Sequence, residues 1–271
     1  MEKELQQNDS HQANTSSEKP ILGKARFLLQ NCAMLLFRPL FMTLVALGLV
    51  SCQISSTGIG RSTYGDRAGP KGFNTVVIDA GHGGKDSGAH VRGLMEKTLA
   101  LDISKRLRSE LQPGFKVIMM RSDDRFIELD HRAYHASQYG NAVVVSIHLN
   151  YGRRSTSGPE TFYWRKDSYA LAKRVQLQLS AVIPNESGNA GLVRRRLRLT
   201  RNPTIPCILV ECGYLTNARE AARLSTSAYR ERLAEAIARA IRDQSYCGDA
   251  GMGPLPRPIY APPSRAGDAR G

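Results

Sequence analysis

The sequence predicts an α/β fold: a single domain with a mainly parallel, twisted sheet flanked by helices on both faces. Three observations predict it. Short apolar runs rich in Val and Ile recur near positions 75, 142 and 207, without the polar alternation of a half-exposed strand, so both faces of their sheet are covered. Longer stretches between them carry apolar residues at four-residue spacing, the period of one helix face. The two kinds of segment alternate along the chain, which is the pattern of strands joined by crossover helices. The domain so defined runs over about 74–246.

Thr75–Asp79 is the first strand. Leu94–Leu111 places Leu99, Ile103, Leu107 and Leu111 on one face and stops at Pro113-Gly114, a helix with its breaker. Phe115–Met120 is the second strand. Asp123 or Asp124 is expected to cap a helix over Ile127–Gln138. Ala142–Ile147 and Thr161–Trp164 are strands, and Tyr169–Val182 is a helix with Leu171, Val175 and Leu179 in register. Leu197–Leu199 reads as a short strand and Cys207–Val210 as another. Helices over Ala218–Leu224 and Tyr229–Ser245 close the domain.

The flanks differ in composition. Residues 1–51 are a polar leader followed by a 12-residue apolar run, Pro39–Val50, behind Arg38. That run is shorter than the roughly 20 residues of a membrane span and fits the apolar core of a secretory signal. It ends Leu49-Val50-Ser51-Cys52, which resembles the lipobox of bacterial lipoproteins. The resemblance implies cleavage before Cys52 and lipidation of that residue. Residues 52–73, rich in Ser, Thr, Gly and Arg, read as a flexible tether. Residues 247–271, with Pro254, Pro256, Pro258, Pro262 and Pro263, read as a Pro/Gly-rich disordered tail.

The formal charge of +14 favours an anionic partner: nucleic acid, an anionic membrane face or a cell-wall polymer. The secretion signal argues against nucleic acid. The chain has five cysteines, none in Cys-x-x-Cys spacing, which gives no support to a thiolate metal site or a redox motif. Cys207 and Cys212 are expected to be buried small apolar residues.

Three strands end in a residue able to bind a metal. Val76–Asp79 leads through a glycine-rich turn to His82, Val143–Ile147 leads to His148, and Ile208–Val210 leads to Glu211. In open α/β sheets the carboxyl ends of the strands line the ligand crevice, so these residues can meet although far apart in sequence. Glu96, at the head of the first long helix, is a fourth candidate; helix-dipole stabilisation accounts for a glutamate there equally well. Two histidines and a glutamate are the ligand set of a catalytic zinc with an open position for water, and a further carboxylate would serve as general base and acid. The residues alone leave open which glutamate does which. His131 and His135, four apart on a helix among charged residues, read as a solvated face; the run Arg194-Arg195-Arg196 reads as a solvated patch, with a grip on anionic wall polymer as the alternative.

Several blocks resemble one family. Val77-Ile78-Asp79-Ala80-Gly81-His82-Gly83-Gly84-Lys85-Asp86-Ser87-Gly88 is similar to the opening motif of the zinc-dependent N-acetylmuramoyl-L-alanine amidases. Met95-Glu96-Lys97, Arg121-Ser122-Asp123-Asp124-Arg125-Phe126, Ser146-Ile147-His148-Leu149-Asn150, Gly158-Pro159-Glu160-Thr161-Phe162-Tyr163, Arg201-Asn202-Pro203 and Leu209-Val210-Glu211-Cys212-Gly213-Tyr214-Leu215-Thr216-Asn217 resemble its later blocks, in family order. The resemblance covers about 75–243. It implies one Zn2+ per chain held by His82, Glu96 and His148, with Glu211 as catalytic acid/base. It implies peptidoglycan as substrate, cut at the amide between N-acetylmuramic acid and the L-alanine of the stem peptide. Asn150 and Glu160 are candidates for substrate binding. Ala80 stands where the family has proline, and Ala190-Gly191 where it has Arg-Gly. Some members carry a helix that blocks the zinc until a protein activator removes it; the interval from Tyr151 to Glu211 has no such insertion, and an open site is expected. The expected setting is the cell envelope, with the protein anchored through Cys52 in the outer membrane and facing the periplasm, acting in cell-wall organisation and cell division. A non-catalytic wall-binding or activator protein of this fold, and a zinc peptidase acting within the stem peptide, are the alternatives.

Overall fold

The computed structural model describes residues 65–184 and 188–267. The leader, the apolar run and Cys52 lie outside the described residues. Within them, eight strands and six helices alternate: β1 Thr75–Ala80, β2 His90–Val91, β3 Leu94–Met95, α1 Glu96–Leu111, β4 Lys116–Met119, α2 Leu129–Ala136, β5 Ala142–Asn150, β6 Glu160–Tyr163, α3 Tyr169–Val182, β7 Gly191–Arg194, α4 Arg198–Arg201, β8 Cys207–Tyr214, α5 Ala218–Leu224 and α6 Ser227–Cys247. Among the described residues, no helix is long and apolar enough to cross a membrane.

The main sheet has the order β4-β1-β5-β8-β6-β7. The first four run parallel to one another, β6 runs antiparallel to β8, and β7 is parallel to β6. Every residue of β1 and β8 is buried, and so is β5 as far as Leu149. This is why these strands are apolar without alternation: both faces meet helices. Val76, Ile78, Val143, Val145, Ile147, Ile208 and Val210 pack with α1, α3 and α6 in one core. Val77, Val144 and Cys207 point the other way and meet Ala136 of α2 and Leu199 of α4. Leu99, Ile103, Leu107 and Leu111 are the buried stripe of α1, as their spacing predicts.

The chain leaves β1 through α1 to reach β4 on one side and returns through α2 to β5 on the other. The connections therefore diverge between β1 and β5, at their carboxyl ends. Such a switch point opens a crevice between the loops, and His82 and His148 stand there.

Four expectations are corrected. Leu197–Leu199 is not a strand: Thr200 Oγ1 accepts from Leu197 N at 3.1 Å and donates to Arg195 O at 2.7 Å, winding the segment into α4. The strand in this region is β7, six residues earlier. Asp123 and Asp124 do not cap α2, which begins behind Glu128 without a side-chain cap. Asp124 instead accepts from Gly84 N at 2.9 Å and Lys97 Nζ at 2.8 Å, tying two other loops together. The tether expected over 52–73 does not include 65–73: Phe73 is buried, Asp167 N donates to Gly65 O, and Arg67 pairs with Asp167.

The fourth correction is the tail, whose described residues, 247–267, pack on the domain. Met252 and Ser264 are buried. Guanidinium groups on the body grip carbonyls of this extended chain: Arg174 on Gly248 and Ala250, Arg194 on Arg257, Arg201 on Ala261 and Arg198 on Arg265. Arg194 thus holds the tail and is no part of a solvated patch. Prolines cannot join a ladder, but their carbonyl neighbours still accept, and that is all these arginines require.

Candidate active site

His82 follows β1 in a left-handed conformation, φ 57°. A non-glycine residue rarely adopts this, and it is held by what surrounds it. Gly81 N donates to Ile147 O. Two buried arginines take up the carbonyls of the turn. Arg121 donates to Ala80 O at 2.8 Å and Gly81 O at 2.6 Å. Arg132 donates to Ala80 O at 2.8 Å and His82 O at 2.6 Å, and pairs with Asp79 at 2.5 Å. Ser146 gives Asp79 a second bond at 2.7 Å. Burial opposes the charge on Asp79, but the Arg132 guanidinium and the Ser146 hydroxyl outweigh it and hold the carboxyl below its usual range. Desolvation and the neighbouring Arg132 charge depress Arg121, which has only carbonyls for acceptors here.

The glycines of the turn make room for the site. A Cβ on Gly81 would overlap the His148 ring, and one on Gly88 would lie 2.5 Å from Glu96 Oε2 and 2.6 Å from the His82 ring. Gly88 also has φ +60°. Both positions therefore exclude a side chain for steric reasons.

His82, Glu96 and His148 converge, with one ligand-type atom from each within 4.8 Å of the others. Glu96 Oε1 stands 3.0 Å from His82 Nε2 and 2.9 Å from His148 Nδ1, and Leu149 N donates to it at 3.1 Å. Oε2 accepts from Ala89 N at 2.9 Å. The head of α1 thus places Glu96, but its carboxylate turns to the histidines instead of serving the helix end. His82 Nδ1 is held by Asp86 at 2.8 Å. Burial works against a charged His82, but Glu96 and Asp86 prevail and its pKa is pushed up to about 9. For Glu96, burial is outweighed by the two histidines and the carboxyl is held low.

These residues fit a metal ion. Two imidazoles and a carboxylate are a zinc donor set. His148 Nε2 is buried without a hydrogen-bond partner, and the contact of His82 Nε2 with Glu96 lacks hydrogen-bond geometry. Buried polar atoms are normally satisfied, and a cation at this point would satisfy both. The Asp86 carboxylate on the far nitrogen of His82 is the kind of group that orients a ligand histidine.

Glu211 is fully buried on β8. Its register partners are His148 on β5 and Glu160 on β6, so three ionisable residues form one row across neighbouring strands. A cleft of about 570 Å³ opens at the Glu211 and Glu160 end of this row, lined also by Asn150, Phe162, Arg195 and Tyr214 among others. Glu160 Oε2 accepts from Asn150 Nδ2 at 2.9 Å and Tyr214 Oη at 3.0 Å.

Tyr214 stands in the closing family block, but sequence reading gave it no place in the site. Three residues after Glu211, it should point to the opposite face of the sheet. A register shift between β5 and β8 pairs His148 with Glu211 but Asn150 with Tyr214. Such a bulge re-aims a side chain, and Gly213 supplies the required backbone at φ 147°. Sequence reading also missed the work of Arg121 and Arg132; an arginine within an otherwise half-apolar helix was the only sign of the latter. His131 is exposed, and His135 meets Tyr139, apart from the site.

Comparison with known proteins gives the family and matches the fold. The family model described as Amidase_3, N-acetylmuramoyl-L-alanine amidase, matches residues 76–243. The chain is 36% identical over 172 residues to the uncharacterized protein YqiI of Bacillus subtilis, spanning 62% of this chain and 82% of that protein. It is 34% identical over 169 residues to the N-acetylmuramoyl-L-alanine amidase LytC of the same organism, spanning 60% of this chain but only 34% of LytC. Among solved structures, the amidase AmiC2 of Nostoc punctiforme superposes with a TM-score of 0.60 at 40% identity, covering 64% of this chain and 97% of that one. The match takes in each strand of the main sheet and each of the residues gathered around His82, and the chain belongs to the N-acetylmuramoyl-L-alanine amidase family, Amidase_3.

Proposed function

We propose that this protein hydrolyses the amide between the lactyl group of N-acetylmuramic acid and the L-alanine of the stem peptide, with one zinc ion held by His82, Glu96 and His148. The observation that carries the reading is the pairing of His148 with Glu211 across β5 and β8, beside the convergence of both histidines on Glu96. A zinc ion there supplies an acidified water and polarises the scissile carbonyl. Glu211, beside His148 in the row, would take the proton of the attacking water and deliver it to the departing alanine nitrogen. The amide is thereby cut without an acyl-enzyme. Glu160, fixed by Asn150 and Tyr214, presents its second oxygen to the cleft as an acceptor for substrate N–H groups.

Product analysis on purified peptidoglycan tests this. The expected products are intact stem peptides with a free L-alanine amine, absent after chelation and restored by zinc. Fragments cut inside the stem peptide would replace the amidase reading with a peptidase one. Tight binding to sacculi with no release would replace it with a wall-binding one.

We also propose that the protein is a lipoprotein acylated at Cys52 and held at the outer membrane, facing the periplasm. The apolar run ending in Leu49-Val50-Ser51-Cys52 supports this. Palmitate labelling should be lost in Cys52→Ala; undiminished labelling would reject the assignment.

A further inference from the structure

Beside the cleft lies a second, basic hollow of about 350 Å³, lined by Arg154, Ser155, Ser157, Asn217, Arg219 and Arg223. The two cavities share a wall. The loop of residues 151–159 gives Tyr151, Gly152, Arg153 and Thr156 to the cleft that holds Glu211, and gives Arg154, Ser155 and Ser157 to the hollow. The wall is fixed. Asn217 Nδ2 donates to Arg154 O at 3.1 Å and Thr156 O at 3.3 Å, Gly152 N donates to Thr216 Oγ1 at 3.2 Å, and Gly158 N donates to Glu220 Oε1 at 2.9 Å.

The charge in the hollow is one-sided. Glu220 is the acidic residue beneath it and is buried. Its oxygens accept from Gly158 N and from Tyr214 N at 2.7 Å. It stands 4.0 Å from Arg223 and so offsets at most that one guanidinium. Arg154 and Arg219 are exposed and make no ion pair among the described residues. Planar guanidinium forks match a carboxylate in two-point geometry, and the hydroxyls of Ser155 and Ser157 add donors at the same wall.

We propose that this hollow is a subsite for a carboxylate of the stem peptide, on the segment that continues past the L-alanine. The inference rests on the amidase reading above. Extended peptide advances about 3.3 Å per residue, and one strand's width is about 4.8 Å. Two residues beyond the cut amide thus suffice to cross the single loop that separates the cleft from the hollow. The subsite explains why so basic a wall is braced by a buried glutamate and an asparagine instead of being left to water.

The test uses the full-length protein and two matched substrates, N-acetylmuramoyl-L-alanyl-D-isoglutamate and its isoglutamine amide, which differ by one negative charge. Wild type should have a KM about tenfold lower for the acid than for the amide, with equal kcat. The double variant Arg154→Ala/Arg219→Ala should lose that preference by raising the KM for the acid toward that for the amide; Arg154→Lys/Arg219→Lys should restore part of it. An equal KM for acid and amide in wild type, or a preference that survives the double alanine variant, overturns the subsite. So does selective competition by polyglycerol phosphate without any acid preference, which would give the hollow to an anionic wall polymer. If wild type cleaves neither substrate, the amidase reading fails by itself, and the subsite is then judged on binding alone. In that case the free dipeptide L-alanyl-D-isoglutamate should bind more tightly than its amide, and Arg154→Ala/Arg219→Ala should abolish the difference; equal binding overturns the proposal.

Discussion

Asp79→Asn isolates what holds the His82 turn. Asp79 and Arg132 are both buried, paired at 2.5 Å. Removing one partner of a buried pair leaves the other charge uncompensated and costs about 3–5 kcal/mol. Against a total stability of roughly 5–15 kcal/mol, that is severe. For a domain of this size each kcal/mol moves Tm by about 2–4 °C, so a fall of roughly 6–20 °C is expected. The pH dependence has a definite sign. The folded Asp79 pKa is lowered below the ordinary 3.8, because Arg132 and Ser146 outweigh the opposing burial. Its contribution is therefore fully present above that value and is lost as pH falls through the lower folded pKa. Urea unfolding followed by circular dichroism between pH 7 and pH 2.5 measures both effects. In Asp79→Asn the acid-dependent part from this group should vanish. Arg132→Met should cost a similar amount, and the double variant clearly less than the sum of the two. A loss under about 1 kcal/mol in Asp79→Asn, or strict additivity in the cycle, would refute the view that this pair anchors the turn.

Further expectations concern the site and its frame. Glu211→Gln should retain zinc, read by metal analysis, and lose turnover by at least about a hundredfold, since a positioned general base contributes about 10²–10⁴; His148→Ala and His82→Ala should lose the metal as well. Gly88→Ala should cost about 1–2 kcal/mol for its left-handed backbone and weaken zinc binding about 10–100-fold by displacing Glu96 or His82, which a competitive chelator titration would detect. Ending the chain after Cys247 should lower stability by on the order of 3 kcal/mol, because burial of Met252 is lost together with several hydrogen bonds; an unchanged denaturation midpoint would contradict the packing seen for residues 248–267.

How much of this could be read from sequence follows from where the information resides. β1, β5 and β8 and the buried stripe of α1 declare themselves, because burial on both faces or on one stripe forces an apolar pattern on the segment itself. His82, Glu96 and His148 were found because each sits at the end of such a segment. The tail was misread because its order is not written in its own residues: Arg174, Arg194, Arg198 and Arg201 supply it from elsewhere in the chain. Leu197-Arg198-Leu199 alternates as a strand would, and only the Thr200 hydroxyl and packing on β8 make it helical. Tyr214 belongs to the closing family block, but its turn toward the cleft was hidden by a single inserted residue in a ladder, an event marked locally by little more than the glycine before it.

The row His148, Glu211, Glu160 has a consequence for how this chemistry can vary. Its spacing is set by backbone hydrogen bonding between strands, about 4.8 Å per step, and so behaves as a ruler that no side-chain replacement can stretch. The only way to change the interval is to slide one strand along another. A slip of one residue would set Val210 or Cys212 opposite His148 and drive Glu211 into the apolar layer beneath α1, α3 and α6, at a cost that the whole fold would register. The proposed acid/base and the proposed metal ligand are thus locked to the same lattice as the core, and a chain that folds at all folds with that interval correct.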